Sequence, residues 1–183
     1  MKTIFLFLLL AATGVPVMAQ QPLRYTRSAV AVWVDGLVNP QLPTSSFYLL
    51  GTGLRAEVSK PLRHSRNALF AQLGYGRFFQ KAASAFVADI GLVNVGYRYQ
   101  SRRAFTASVG VGAQYWRERM RVRFPDQAID ETFNSLIPSA TVGLGVWLKP
   151  RYALGFEYRG LFKPENGTVV LRNTLALSVG YIF

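Results

Sequence analysis

The sequence lacks cysteine and has a single histidine, and these two shortages exclude several kinds of chemistry. Without cysteine the chain has neither disulfides nor thiolate ligands for a metal ion. His64 is the only imidazole, and it stands in a basic segment, residues 60–66, that we interpret as a solvated turn. The chain also lacks the spacing of a metal cluster, a phosphate-binding loop or a pair of catalytic carboxylates. We therefore expect no metal, no cofactor and no catalytic residue.

Acidic residues are scarce, with 9 Asp and Glu against 21 Lys and Arg. The formal net charge is +12, and removal of Lys2 with an N-terminal leader would leave +11. Such a charge favours nucleic acid or anionic lipid as a partner. No nucleic-acid-binding motif is present, and export would remove that partner, so we expect no nucleic-acid binding. The phosphates of anionic lipids are the predicted counter-charges, and a generic solvated rim is the alternative.

A long apolar run is missing everywhere except near the start of the chain. Met1 and Lys2 precede the apolar residues 4–12, and Val17, Met18 and Ala19 then match a signal-peptidase site. The run is too short to span a bilayer, so residues 1–19 are predicted to be a cleaved signal peptide. An uncleaved membrane anchor is the alternative, and the lack of a following cysteine argues against a lipoprotein. The predicted mature chain, residues 20–183, has the length of one eight-stranded barrel.

Apolar residues recur at every second position along most of the sequence, in stretches that are separated by turn signals. This pattern predicts eight strands, at residues 24–38, 46–59, 67–79, 85–99, 103–116, 136–148, 152–162 and 168–183. Near Leu92 and Val93 the alternation slips by one residue, which indicates a β-bulge or a locally apolar interior. An even number of strands puts both ends of the mature chain on the periplasmic side. The longest connection, residues 117–135, then lies outside.

The last ten residues carry the most specific pattern. Leu175, Leu177, Val179, Tyr181 and Phe183 share one face of the last predicted strand, and the chain stops on an aromatic residue. Val179, Tyr181 and Phe183 resemble the C-terminal insertion signal of bacterial outer-membrane barrels. With the leader, they make residues 20–183 similar to the small outer-membrane β-barrel superfamily, of the OmpA-barrel and OmpX type, and to porin-family barrels.

This resemblance implies an all-β fold, a closed eight-stranded antiparallel up-and-down transmembrane β-barrel. It also implies an outer-membrane location and contact with the barrel assembly machinery during insertion. It implies no reaction, because fold does not fix function.

Aromatic residues lie near the ends of the predicted strands, as expected at the two interfaces of a membrane. The periplasmic group is Tyr97, Tyr99, Phe105, Tyr152, Tyr181 and Phe183, and the outer group is Tyr75, Phe79, Phe86, Tyr115, Tyr158 and Phe162. The rival interpretation is a soluble lipocalin-like barrel, whose outer face must be polar. The polar face here is rich in Gly, Ser and Thr with few charges, which favours a narrow lumen.

The polar face predicts a network of side chains in that lumen. Its candidate members are Arg55, Glu57, Gln72, Asp89, Arg98, Gln114, Glu157, Arg159 and Arg172. An eight-stranded barrel is only wide enough for side chains to fill it, so these charges must pair. We expect a plugged lumen that stabilises the barrel, and a small-solute channel is the alternative.

The connection at residues 117–135 carries Arg117, Arg119, Arg121 and Arg123 at alternate positions. A hairpin extended above the membrane would place these arginines on one face. They are candidates for contact with lipopolysaccharide phosphates or a partner, and the preferred alternative is pairing with the acidic residues later in the same connection, Asp126, Asp130 and Glu131. The edge of a protruding strand is a further candidate for a partner, through strand addition.

Some small outer-membrane barrels are enzymes that modify lipid A with the help of a histidine. His64 is the single histidine of this sequence. The residues after it, Ser65, Arg66 and Asn67, loosely resemble the motif of the lipid A deacylase, but the serine is shifted and the segment is predicted to be periplasmic. The palmitoyltransferase barrel needs a histidine near the outer surface, where none is predicted. The sequence therefore favours a non-enzymatic structural or surface-interaction protein, with a lipid A-modifying enzyme as a remaining alternative.

Overall fold

The chain folds into one closed sheet of eight strands. The computed structural model describes residues 28–40, 48–62, 66–80, 86–101, 104–123, 128–149, 151–165 and 168–183. The strands are β1 (Ala29–Val38), β2 (Tyr48–Pro61), β3 (Asn67–Gln80), β4 (Phe86–Gln100), β5 (Phe105–Arg123), β6 (Ala128–Lys149), β7 (Tyr152–Glu165) and β8 (Thr168–Ile182). Each strand pairs antiparallel with the next, and β8 pairs with β1. The prediction of an all-β, closed eight-stranded antiparallel barrel is confirmed.

Most strand boundaries lie within three residues of the predicted ones. One exception is β1, which starts at Ala29 instead of residue 24. The others are β5 and β6, because the predicted connection at residues 117–135 is mostly strand and pairs as far as Arg123 and Ala128. The segment predicted as a signal peptide, residues 1–19, and the start of the first predicted strand, residues 24–27, lie outside the described residues. Within the ranges given above, no helix has the length and apolar character needed to cross a membrane.

The strands are tilted around the barrel axis. Following the paired residues from Trp116 through every strand leads back to β5 at Thr106, ten residues away. Such a stagger sets the tilt and the width of a closed barrel. It also brings residues that are far apart in sequence to one level of the lumen. We call the end where β1 starts and β8 stops the terminal end, and the end with the β5–β6 hairpin the hairpin end.

The outer face of the barrel is apolar and the inner face is mostly polar. On β5 the outward residues from Phe105 to Tyr115 are aromatic, Val or Ala, a stretch of the length that crosses a bilayer. The outer faces of β6 and β8 expose Val142, Leu144 and Leu177. An apolar outer face is the reverse of what a lipocalin-like barrel in water requires.

The aromatic residues lie on this outer face near both ends of the strands. Those near the terminal end are Tyr97, Tyr99, Phe105, Tyr152, Tyr181 and Phe183, and those near the hairpin end are Tyr75, Phe79, Tyr115, Tyr158 and Phe162. The side chain of Phe86 lies outside the described part of the chain.

The predicted β-bulge near Leu92 and Val93 is wrong. Pairing of β4 with both β3 and β5 runs through these residues without a shift. Ile90 and Leu92 instead point into the barrel, with exposed fractions of 3% and 4%. They line the lumen toward the hairpin end, where Phe78 and Trp116 stack with ring centroids 5.8 Å apart. The locally apolar interior, which was the alternative, explains the slip in the pattern.

Candidate functional site

The centre of the lumen holds a closed ring of two carboxylates and two guanidinium groups. Arg55 donates from Nη1 to Glu157 Oε2 at 2.7 Å and from Nη2 to Asp35 Oδ1 at 3.1 Å. Arg159 donates to the other oxygen of each acid, to Glu157 Oε1 at 2.6 Å and to Asp35 Oδ2 at 3.0 Å. Ser178 donates its hydroxyl to Asp35 Oδ1 at 2.7 Å. These residues come from β1, β2, β7 and β8. The ring therefore connects strands on both sides of the β1–β8 pairing that closes the barrel.

A second polar group lies beside the ring. Arg98 holds both oxygens of Glu57, at 2.5 and 2.6 Å, and Gln72 donates to Glu57 Oε2 at 2.8 Å. Asn94 continues the chain of hydrogen bonds, because its amide donates to Gln72 Oε1 at 3.2 Å and to Thr141 Oγ1 at 3.0 Å. This group links β2, β3, β4 and β6 across the lumen.

The buried charges balance and are covered by aromatic rings. Three acids, Asp35, Glu57 and Glu157, are matched by three arginines, Arg55, Arg98 and Arg159, and all six are buried. The guanidinium of Arg55 lies 5.4 Å from the ring centroid of Trp33, and that of Arg98 lies 4.9 Å from Phe70. A buried charge is tolerated when it is paired and hydrogen-bonded, which is the case for each of these.

A small cavity adjoins the polar groups. Its volume is about 30 Å³, and Trp33, Arg55, Arg98, Thr106 and Ser108 are among its lining residues. Two of these carry buried donors, Trp33 Nε1 and Arg55 Nε, without a partner among the described atoms. A cavity of this size, with unpartnered donors in its wall, accommodates one or two water molecules.

The structure places most of the predicted lumen residues inside the barrel. Arg55, Glu57, Gln72, Arg98, Glu157 and Arg159 meet in the two groups above. Gln114 is fully buried nearer the hairpin end and accepts a hydrogen bond from Trp116 Nε1 at 3.1 Å. Arg172 lies at the hairpin-end mouth, where it pairs with Glu118 at 3.1 Å.

Asp89 is not in the lumen, which corrects its predicted placement. It alternates with the inward Ala88 and Ile90 and therefore points outward. Its carboxylate accepts hydrogen bonds from Tyr75 Oη at 2.7 Å and from Arg77 Nε and Nη2 at 2.6 and 3.1 Å. The assumed bulge reversed the phase of this part of β4, which produced the error.

Sequence reasoning missed several lumen residues, of which Asp35 is the most important. Val30, Val32 and Val34 alternate along β1 and face outward, and this parity alone turns Trp33 and Asp35 inward. Asn94, Thr141 and Ser178 follow from the same alternation on β4, β6 and β8. Their partners depend on the stagger of the barrel, for which the sequence carries no direct signal.

Three arginines of the β5–β6 hairpin lie along its outward face. Arg117, Arg119 and Arg121 pair in register with Asn134, Thr132 and Asp130, respectively. Arg121 forms an ion pair with Asp130 at 3.0 Å, and both side chains are more than half exposed. Of the predicted acidic partners in the hairpin, Asp126 lies outside the described residues, as does the side chain of Arg123.

No catalytic constellation emerges from the described residues. They contain no group of three or more His, Asp and Glu side chains that could hold a metal ion. His64 and Ser65, which resembled part of the lipid A deacylase motif, lie outside the part of the chain that the structure describes.

No family model matches the sequence, and no curated protein matches it either. Solved structures do match the fold. Ail of Yersinia pestis aligns with a TM-score of 0.59 and 13% identity over 85% of this chain and 97% of that one. The N-terminal β-barrel domain of Pseudomonas aeruginosa OprF gives 0.57 and 11%, over 86% of this chain and 98% of that domain.

Neisserial surface protein A gives a TM-score of 0.53 and 14% identity, over 85% of this chain and 95% of the other. Ail is an outer-membrane protein. Identities this low establish the fold alone, and the chain has the fold of the small eight-stranded barrels of bacterial outer membranes.

Proposed function

We propose that the protein is an integral outer-membrane barrel with a plugged lumen that acts through its surface and has no catalytic role. The apolar outer face and its aromatic ends support insertion into a bilayer. The observation that carries the proposal is the ring of Asp35, Arg55, Glu157 and Arg159, in which every guanidinium is shared between two carboxylates.

The ring opposes ion passage for an energetic reason. A permeating ion or solute would have to separate charges that are buried and mutually neutralised, and an uncompensated buried charge is costly. The apolar layer of Phe78, Ile137 and Leu161 lies in the same lumen and is fully buried. A small-solute channel is the alternative, and it requires continuous water through both layers.

Single-channel conductance distinguishes a plugged barrel from a small-solute channel. The purified full chain is folded into planar lipid bilayers, with a known porin reconstituted in the same way as a positive control. We expect no stepwise conductance above the bare bilayer. Reproducible conductance steps from the folded protein would support the channel and overturn the plugged lumen.

The surface role rests on the β5–β6 hairpin. Within the described residues, β6 pairs with β7 only from Ser139 onward, so residues 128–138 have β5 as their single neighbour. Their other edge presents unpaired backbone groups, which is the arrangement that accepts an added strand from another polypeptide. Pro138, which has no N–H to donate, stands at the boundary.

Complementation tests this role. A variant in which residues 119–132 are replaced by a short turn keeps every lumen residue that is buried in the described part of the chain. It should still give a heat-modifiable band on a gel. We expect it to insert but not to restore the envelope phenotype of a deletion strain. Full restoration would limit the protein to a structural role. A lipid A mass spectrum that changes on deletion would instead support the enzymatic alternative.

A further inference from the structure

A slot on the outer face of the barrel is formed by a glycine between two tyrosines. Gly91 on β4 pairs in register with Tyr75 on β3 and with Tyr115 on β5, and all three positions face outward. A Cβ placed on Gly91 would meet only Tyr115, at 3.7 Å from its Cβ and 4.0 Å from its carbonyl oxygen. Such a Cβ would have no atom of Tyr75 within 4 Å, and the outward Val93 continues the exposed surface toward the terminal end.

The tyrosines on either side are fixed by hydrogen bonds. Tyr75 donates its hydroxyl to Asp89 at 2.7 Å, and Tyr115 donates its hydroxyl to Asn134 at 2.9 Å. Both hydroxyls therefore point toward the polar residues at the hairpin end, while the rings remain at the edge of the apolar face. This is the usual position of an aromatic residue at a membrane interface.

A polar row lies next to the slot, on the hairpin side. It consists of Arg77, Asp89, Arg117 and Asn134 on four neighbouring strands, and Arg119 stands two residues further along β5. Asp89 binds Arg77 through two hydrogen bonds. Within the described residues neither Arg117 nor Arg119 forms an ion pair, unlike Arg121, which pairs with Asp130. The row thus carries excess positive charge directly beside an apolar slot.

We propose that this surface binds a phosphorylated lipid of the outer leaflet, of the lipopolysaccharide class. One acyl chain lies along Gly91 and Val93 between the tyrosine rings, and a phosphate accepts hydrogen bonds from Arg117 and Arg119. Guanidinium groups match phosphate oxygens in geometry and charge. The inference rests on the proposed insertion into the outer membrane and adds to it a defined lipid site.

Native mass spectrometry of the folded full chain tests the site, with diphosphorylated lipid A as the probe and enzymatically dephosphorylated lipid A as its partner. The double variant Arg117→Gln/Arg119→Gln removes the phosphate contacts, and Gly91→Leu fills the slot without a change of charge. Arg121→Gln is the matched control, because it removes one arginine from the same face of the same hairpin. We expect the double variant and Gly91→Leu each to weaken lipid A binding about tenfold.

The expected pattern is specific for both the phosphate and the acyl chain. The wild type should bind dephosphorylated lipid A as weakly as the double variant binds the phosphorylated form, and Arg121→Gln should bind like the wild type. Equal binding of the two lipids, or an equal loss in Arg121→Gln, would overturn the site. Full competition by inorganic phosphate would show a general anion site and would also overturn it. A heat-modifiable gel shift, measured on each variant, separates these results from failure of the barrel to insert.

Discussion

Trp33 and Gly180 face each other across the pairing of β1 with β8, and the indole fills the space that a side chain at Gly180 would need. A Cβ on Gly180 would lie 2.6 Å from Trp33 Cε3. The same indole covers the guanidinium of Arg55 at 5.4 Å. The junction that closes the barrel is therefore coupled through one ring to the charge network in the lumen.

Replacing Gly180 by alanine should destabilise the barrel, because Trp33 is buried and has no room to retreat without moving Arg55. We expect a loss of about 1–3 kcal/mol in the free energy of unfolding, measured by urea titration in detergent micelles. Gly36→Ala is the control on the same pair of strands, since its Cβ would meet only Leu177 O at 3.6 Å. Equal stability of the two variants would contradict the role given to Trp33.

Substitutions in the ring of Asp35, Arg55, Glu157 and Arg159 should have strongly non-additive effects on the free energy of unfolding. Asp35→Asn removes a carboxylate that two arginines share, and we expect it to cost about 3 kcal/mol, as for other broken buried pairs. Arg159→Gln alone should be similarly harmful. The double variant restores the balance of charge, so its cost should be clearly less than the sum of the two. Urea titration of all four proteins gives the coupling energy, and simple additivity would mean that the ring is not a unit.

The ion pair of Arg121 with Asp130 should behave differently, although its distance of 3.0 Å is like those in the lumen. Both side chains are exposed, so water and salt screen the attraction. We expect Arg121→Gln to change stability by less than about 0.5 kcal/mol in the same titration. A loss comparable to that of Asp35→Asn would show that the hairpin is part of the cooperative barrel.

Much of the fold follows from the sequence because strand alternation is a local property. Val30, Val32 and Val34 fix the parity of β1, and similar runs fix that of the other strands. The predicted placement of Asp89 is wrong because Ile90 and Leu92 face an apolar layer of the lumen. Both faces of β4 are apolar there, so the alternation no longer distinguishes the inward face from the outward one.

The partners of the lumen charges do not follow from the sequence. Asp35 and Arg159 are 124 positions apart and meet only because the strands are staggered by ten residues around the barrel. The predicted strands at residues 103–116 and 136–148 fall short of the observed β5–β6 hairpin for a related reason. Its charged and polar residues, such as Arg119 and Thr132, are typical of a loop, and only their pairing across the hairpin makes them strand.

Phe183 is expected to contribute to assembly of the barrel in cells more than to the stability of the folded barrel. Tyr181 packs edge-to-face against Tyr152 and Phe183, with centroids 5.3 and 5.0 Å apart, and its hydroxyl accepts a hydrogen bond from Arg151 at 3.0 Å. Phe183 itself is 73% exposed, so its removal should cost little in the folded barrel. If Val179, Tyr181 and Phe183 form an insertion signal, Phe183→Ala should impair assembly in cells.

We therefore expect Phe183→Ala to lower the amount of heat-modifiable protein in cell envelopes several-fold, while refolding of the purified chain into detergent is unchanged. Phe105→Ala is the matched control, because Phe105 is an exposed aromatic near the same end of the barrel but outside the C-terminal pattern. A parallel loss in cells and in detergent would assign Phe183 to stability, and a loss of assembly in both variants would mean that the terminal position carries no special signal.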